Sequence, residues 1–222
     1  MTMPVNQGRG AANGQVADIK LGRHGPQLVA DYQGKYAEHA LHGNLYWTSS
    51  VVAGLAIPID TTTAPTVILW NPSGSGVDAV LGRFAASQAS GTTAGGTIGL
   101  MSVSAEKLGA EQATAARITA FADDAYGTNV FSGRLNEGRR PRVKSSSQGT
   151  NTISAGTWIK SLGMQFGAII TTSAVHTGSN FTYDFDGEVV LPPGSSVYIA
   201  SNIASVALFQ TTLSWYEVPA TL

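Results

Sequence analysis

From Asn180 to Leu191, apolar and acidic side chains take turns along the chain. Phe181, Tyr183, Phe185, Val189 and Leu191 occupy alternate positions, with Asp184, Asp186 and Glu188 between them. A period of two predicts a strand with one buried and one wet face. Pro192, Pro193 and Gly194 interrupt it, because proline fixes φ and lacks a donor while glycine reaches the conformations a turn requires. Val197 and Ile199 bring the chain back, so 180–200 reads as a β-hairpin. The final run, Ala207–Val218, alternates in the same way and puts Phe209, Thr211, Leu213 and Trp215 on one face.

Branched and aromatic residues mark further strands in Leu45–Ile59, Ala64–Asn71, Val77–Ser87, Thr97–Ser104 and Trp158–Ile170. Asn71–Gly76 is a turn cluster and reads as a hairpin loop between two of them. Ser87–Gly96 reads as a Ser/Gly/Thr loop, and Arg134–Ser147 as an exposed polar loop. Ser104–Asp124 carries both a helical spacing and an alternating one; among so many strands, a loop followed by a strand is expected there. Leu28–Leu41 is the one good helix candidate, with Leu28, Tyr32, Tyr36 and Ala40 at i, i+4 and Gly43 placed to end it. An extended arm competes with that helix. Residues 1–27 have few apolar side chains, and two readings stay open for them: a disordered tail, or an arm that orders against another subunit.

Eight or more short strands separated by turns predict an all-β fold, an antiparallel jelly-roll-like β-sandwich over residues 45–222. It follows an extended N-terminal arm and short helix over residues 1–44. Only 12% of the residues are charged and the net charge is −1, while glycine alone counts 26. A monomer ordinarily keeps itself soluble with charge, so a surface this poor in it fits faces covered by neighbours. The charge balance gives no reason to expect nucleic acid or an anionic membrane as partner. The apolar runs are too short to span a bilayer. The absence of cysteine excludes disulfides, thiolate catalysis and Cys-based zinc sites. No Sec-type signal is visible at the N-terminus.

Candidate chemistry is thin. Asp184, Asp186 and Glu188 on one strand face would suit Ca²⁺ or a glycosidase carboxylate pair, against the plainer reading of a solvated face. Glu38, His39 and His42 would cluster on a helix, but the histidines stand at i, i+3, whereas zinc proteases need i, i+4 around a glutamate. Arg139, Arg140, Arg142 and Lys144 form the one basic cluster and read first as a solvated loop. Neither a nucleophile elbow nor a phosphate loop is present. No catalytic, cofactor-binding or metal-binding residue is expected, and no small-molecule substrate.

The order of four pieces resembles small virion structural proteins of tailed bacteriophages. They are the aromatic helix-like segment ending in Gly-Asn (36–47, KYAEHALHGNLYW with Lys35), the Asn-Pro-Ser-Gly-Ser-Gly turn (Asn71–Gly76), Leu-Pro-Pro-Gly (Leu191–Gly194) and Trp-Tyr-Glu-Val-Pro (Trp215–Pro219). That resemblance implies a non-enzymatic capsid decoration (cement) protein in the virion. It would be a homo-oligomer, a trimer by the habit of the group, with the major capsid protein as partner. Inter-subunit contacts are then expected from Tyr32, Tyr36, His39, His42, Tyr46 and Trp47. Two other readings remain: a tail, baseplate or spike protein that binds a host receptor or glycan, and a glycan hydrolase built on Asp184, Asp186 and Glu188.

Overall fold

Strand alternation and turn residues are realised as two antiparallel sheets stacked into a sandwich, with one short helix among the described residues. The computed structural model describes residues 36–92, 95–103, 130–134, 141–147, 153, 156–165, 168–169, 176–177 and 179–220. In chain order these contain α1 (Ala37–Leu41), β1 (Leu45–Ser49), β2 (Leu55–Ala56), β3 (Ile68–Asn71), β4 (Val77–Thr92), β5 (Thr97–Val103), β6 (Val130–Ser132) and β7 (Lys144–Ser146). Then come β8 (Thr157–Met164), β9 (Ala168–Ile169), β10 (His176–Thr177), β11 (Asn180–Asp184), β12 (Val190–Leu191), β13 (Ser195–Ser201) and β14 (Leu208–Pro219). The chain divides into a segment through Glu38 and a unit spanning His39–Leu222, and the sandwich lies in the second.

The first sheet runs β10-β9-β4-β14-β1-β6, with β11 and β12 also paired to β4 and β2 to β14. The second runs β7-β3-β13-β5-β8. Their facing sides share one apolar cluster that includes Leu69, Leu81, Phe84, Leu100, Ile199, Phe209 and Trp215. The predicted face of β14 is confirmed: Phe209, Thr211, Leu213 and Trp215 are all buried. Glu217 continues this buried set, and the residues between are exposed or half-buried, so the first sheet keeps a wet outer face. The second sheet differs. Its outer side is buried as well, by Ile68, Trp70, Met101, Val103, Tyr198 and Ala200 with Ile153 and the half-buried Trp158. Trp158 can lie flat there because Gly99 has no side chain: a Cβ at that position would stand 2.2 Å from the indole.

Two connections differ from expectation. Asn71–Gly76 and Pro192–Gly194 are tight turns, as their residues predict, but neither joins a hairpin. β3 and β13 belong to the second sheet while β4 and β12 belong to the first, so each turn is a corner that carries the chain between layers. Nor is 180–191 one strand: β11 ends at Asp184, and a turn with Asp186 at φ 51° and Gly187 at φ 82° precedes β12. Ser87–Thr92 is not a loop but the end of β4, held by β11 and β14 on its two sides and then by β9. Those partners supply the backbone bonds that the small polar residues do not dictate.

Within 134–147, the part read as an exposed loop, Lys144–Ser146 is an edge strand on β3, and Val143 and Ser145 are fully buried. The helix is observed over Ala37–Leu41, and Gly43 ends it as expected. At φ 68°, Gly43 donates to Ala40 O while Asn44 donates to His39 O, a Schellman arrangement. Residues 1–35 and Ser104–Asp124 lie outside the described residues.

Candidate functional site

Asn44, the Asn71–Gly76 turn, the Leu191–Gly194 corner and the end of β14 meet at one end of the sandwich. Asn71, fully buried, donates from Nδ2 to Val77 O (2.7 Å) and to Leu191 O (2.8 Å), and its own carbonyl accepts from Gly194 N. One side chain thus ties the Asn-Pro-Ser-Gly-Ser-Gly turn to the Leu-Pro-Pro-Gly corner. Asn44 exchanges bonds with Glu217, Nδ2 to O and O from N, which joins the Gly-Asn after the helix to the terminal strand. Ala220 N donates to Gly76 O and closes the ring. These motifs are the cap of a β-sandwich, and their chemistry is structural.

Glu217 is the one deeply placed carboxylate of this cap, 8% exposed. Its Oε1 accepts from Arg142 N (2.7 Å) and Val143 N (2.8 Å). Burial raises its pKa above the ordinary value, and the two backbone donors oppose that shift without cancelling it. Of the basic cluster, Arg142 donates from its guanidinium to Ser75 O and Lys144 lies over the Trp70 ring at 5.3 Å, so both are bound to the fold. Arg139 and Arg140 lie outside the described residues.

The acidic trio does not share a face. Asp184 pairs with Arg83 at 3.4 Å and accepts from Asp186 N. Asp186 occupies the turn. Glu188 pairs with Lys160 of β8 and accepts from Tyr183 Oη. That lysine bond holds the Glu188 carboxyl below its usual range, and Glu188 in turn raises the Lys160 pKa. Among the described residues no group of three or more His, Asp or Glu side chains is placed to hold a metal ion. The turn between β11 and β12 separates the carboxylates, with Asp184 toward Arg83 of β4 and Glu188 toward Lys160 of β8.

Of the residues expected to touch other subunits, Tyr32 lies outside the described residues, and Tyr36 is half-buried just before α1. His39 stacks on Tyr216 (3.9 Å between centroids, 17° between planes) and His42 is exposed. Tyr46 points inward, 4% exposed and 5.9 Å from the Trp215 ring, so its ring serves the core. Trp47, one residue on, points outward and stacks with Phe131 at 6.2 Å.

Two surfaces went unnoticed in the sequence. On the outer face of the first sheet, Phe131, Trp47, Ser214, Arg83 and Asp184 form one row across β6, β1, β14, β4 and β11. A bulge on β4 sets the row: Gly82 and Arg83 both oppose Ser214, whose Oγ accepts from Arg83 N and donates to Arg83 O. A Cβ on Gly82 would stand 2.7 Å from that oxygen. The second surface is the end opposite the cap, where Val51, Val52, Ile59, Met164, Ile203 and Val206 are exposed, Val52 by 87% and Val206 by 80%. Bonds and contacts bring their segments together. Gln210 reaches Val52 O, Ile59 bridges Ser201, Gly91 abuts Val206 and Gly96 abuts Ile203, and Met164 pairs with Thr97. No period reports such a patch, because its members come from separate loops.

The class these observations define is an antiparallel β-sandwich capped at one end and apolar at the other. No protein-family model, curated protein or solved structure matches the chain. Among the described residues no helix is long and apolar enough to cross a membrane.

Proposed function

We propose that this chain is a non-enzymatic structural protein of a phage virion, a capsid decoration protein that binds the capsid exterior as an oligomer and stabilises contacts between capsomers. The observation that carries this reading is the apolar end. Six large apolar side chains stand exposed on neighbouring loops and strand ends there, with Asp60 the one charged residue in the segments 50–60, 90–92, 95–97, 164–165 and 201–208. Contiguous exposed apolar surface of this kind marks an interaction site. The charge-poor composition favours close packing against neighbours, and cyclic symmetry multiplies a weak contact into a firm one. In this reading the apolar end seats on the shell, and the N-terminal segment through Asn44 serves the contacts between subunits.

Light scattering of the purified protein and co-sedimentation with empty capsids test it together. An oligomer, expected to be a trimer, should bind capsids. Val52→Asp combined with Val206→Asp should cut that binding at least tenfold while leaving the melting temperature unchanged, since both side chains are in solvent. A monomer that leaves capsids unbound would overturn the reading.

A further inference from the structure

We infer that the outer face of the first sheet carries a binding site for a neutral saccharide, seated between Trp47 and Arg83. Trp47 and Arg83 rise from β1 and β4, the two strands that flank β14, and so stand roughly 9–10 Å apart at ordinary strand spacing. Between them Ala85, Thr212 and Ser214 are small and leave a shallow depression of about 230 Å³. That is less than the several hundred Å³ of a pocket that encloses a drug-sized ligand. It is room for one sugar ring lying on the sheet.

The chemistry on the two sides differs and suits such a ring. On one side the indole of Trp47, fixed by its stack with Phe131, offers a flat apolar surface for the C–H face of a pyranose. On the other, the Arg83–Asp184 pair offers fixed donors and acceptors side by side for adjacent hydroxyls. Because Asp184 already neutralises the guanidinium, the site has no net charge to draw in a uronate or phosphate, and a neutral sugar is the fitting ligand. Toward the cap, Tyr216 stacked on His39 stands along the same outer face.

The bulge is the second observation that points to a built site. Without it, a period of two counted on from the buried Leu81 would turn Arg83 into the core and Phe84 out; the extra residue keeps Leu81 and Phe84 both inward and leaves Arg83 facing out opposite Ser214. Bulges commonly re-aim one side chain next to a functional site.

The site does not depend on the capsid reading, and its test is separate. The whole protein is applied to an array of neutral hexose and N-acetylhexosamine oligosaccharides alongside uronic-acid ones, and the best neutral glycan is then titrated calorimetrically. Binding to neutral glycans is expected. Trp47→Ala and Arg83→Ala should each weaken it at least tenfold, and Thr212→Arg, which fills the depression from an outward position, should abolish it at an unchanged melting temperature. No glycan bound, binding confined to anionic glycans, or neutral-glycan binding untouched by Thr212→Arg would overturn the inference. Loss of capsid binding in Trp47→Ala without any glycan binding would assign the row to a protein contact instead, and would equally overturn it.

Discussion

Asn71 shows how much one polar side chain decides in a fold with few charges. It sits in the corner between layers with no solvent contact, and its amide group satisfies two main-chain carbonyls from different sheet corners, Val77 and Leu191. A buried carbonyl that loses its donor costs about 1–3 kcal/mol. Asn71→Ala takes the amide from both and leaves Val77 O with its longer bond from Ser75 Oγ (3.2 Å), so it should destabilise the protein by about 1–3 kcal/mol. The urea midpoint should fall while the slope stays constant, because the surface exposed on unfolding is unchanged. A shift worth less than about 0.5 kcal/mol would show that water replaces the amide. In the sequence, Asn71 is readable only as the first residue of a turn. Its long-range role is hidden because Leu191 is 120 positions away. Trp47 and Tyr46 were legible as a pair that matters, yet which of the two faces solvent depends on the phase of β1 in its sheet, and a five-residue strand is too short to fix that phase by pattern.

At the level of elements, turn chemistry and alternation carried the reading a long way, through the strands, the helix stop at Gly43 and the inward face of β14. They stopped at pairing. Pro-Pro-Gly and Pro-Ser-Gly say where the chain bends, but a hairpin and a corner between sheets use the same residues; the choice rests on which distant strands accept the edge. The same limit hid the end of β4, where Ser87–Thr92 has loop composition, and β7, where the polar Ser145 is fully buried. Glu217 joins β14 to the segment leading into β7, and its raised pKa gives that joint a pH signature. The folded state holds this proton more tightly than the unfolded chain, whose glutamate titrates near about 4.3. The contribution is therefore fully present below that pH and is lost as pH rises through the higher folded pKa. Glu217→Gln keeps an acceptor for Arg142 N and Val143 N but cannot ionise. Urea melts from pH 4 to pH 8 should show the stability difference between variant and parent moving in favour of the variant as pH rises. A flat difference would mean that the two backbone donors fully compensate for burial. Glu188, held below its usual pKa by Lys160, acts with the opposite sign: its contribution is present above the unfolded pKa and is lost as pH falls.

For the whole molecule the decisive fact is that the last strand is central. β14 lies between β4 and β1; it pairs with β4 along nearly its whole length, to Val77 opposite Pro219, and with β1 from Thr212 to Tyr216, where Leu45 stands opposite Tyr216. Its inward side chains, Phe209, Leu213 and Trp215, are among the most buried in the core. The first sheet therefore cannot close until β14 is present. The loop closed by β1 and β14 spans most of the sandwich, which places folding among the slow, non-local cases on the millisecond-to-second scale or beyond. A chain ending at Val206 keeps β1 to β13 but leaves facing edges of β4 and β1 unpaired and the apolar faces of Phe84, Leu81 and Tyr46 uncovered. It should show no near-ultraviolet circular dichroism and no cooperative melt, and should aggregate through those open edges. A chain ending at Ala220 retains β14 and the bond from Ala220 to Gly76, and should melt like the full protein. If the Val206 chain instead melted cooperatively with its tertiary signal intact, the second sheet and its doubly buried faces would have to hold a core of their own, and β14 would be an addition to the fold and not its closing strand.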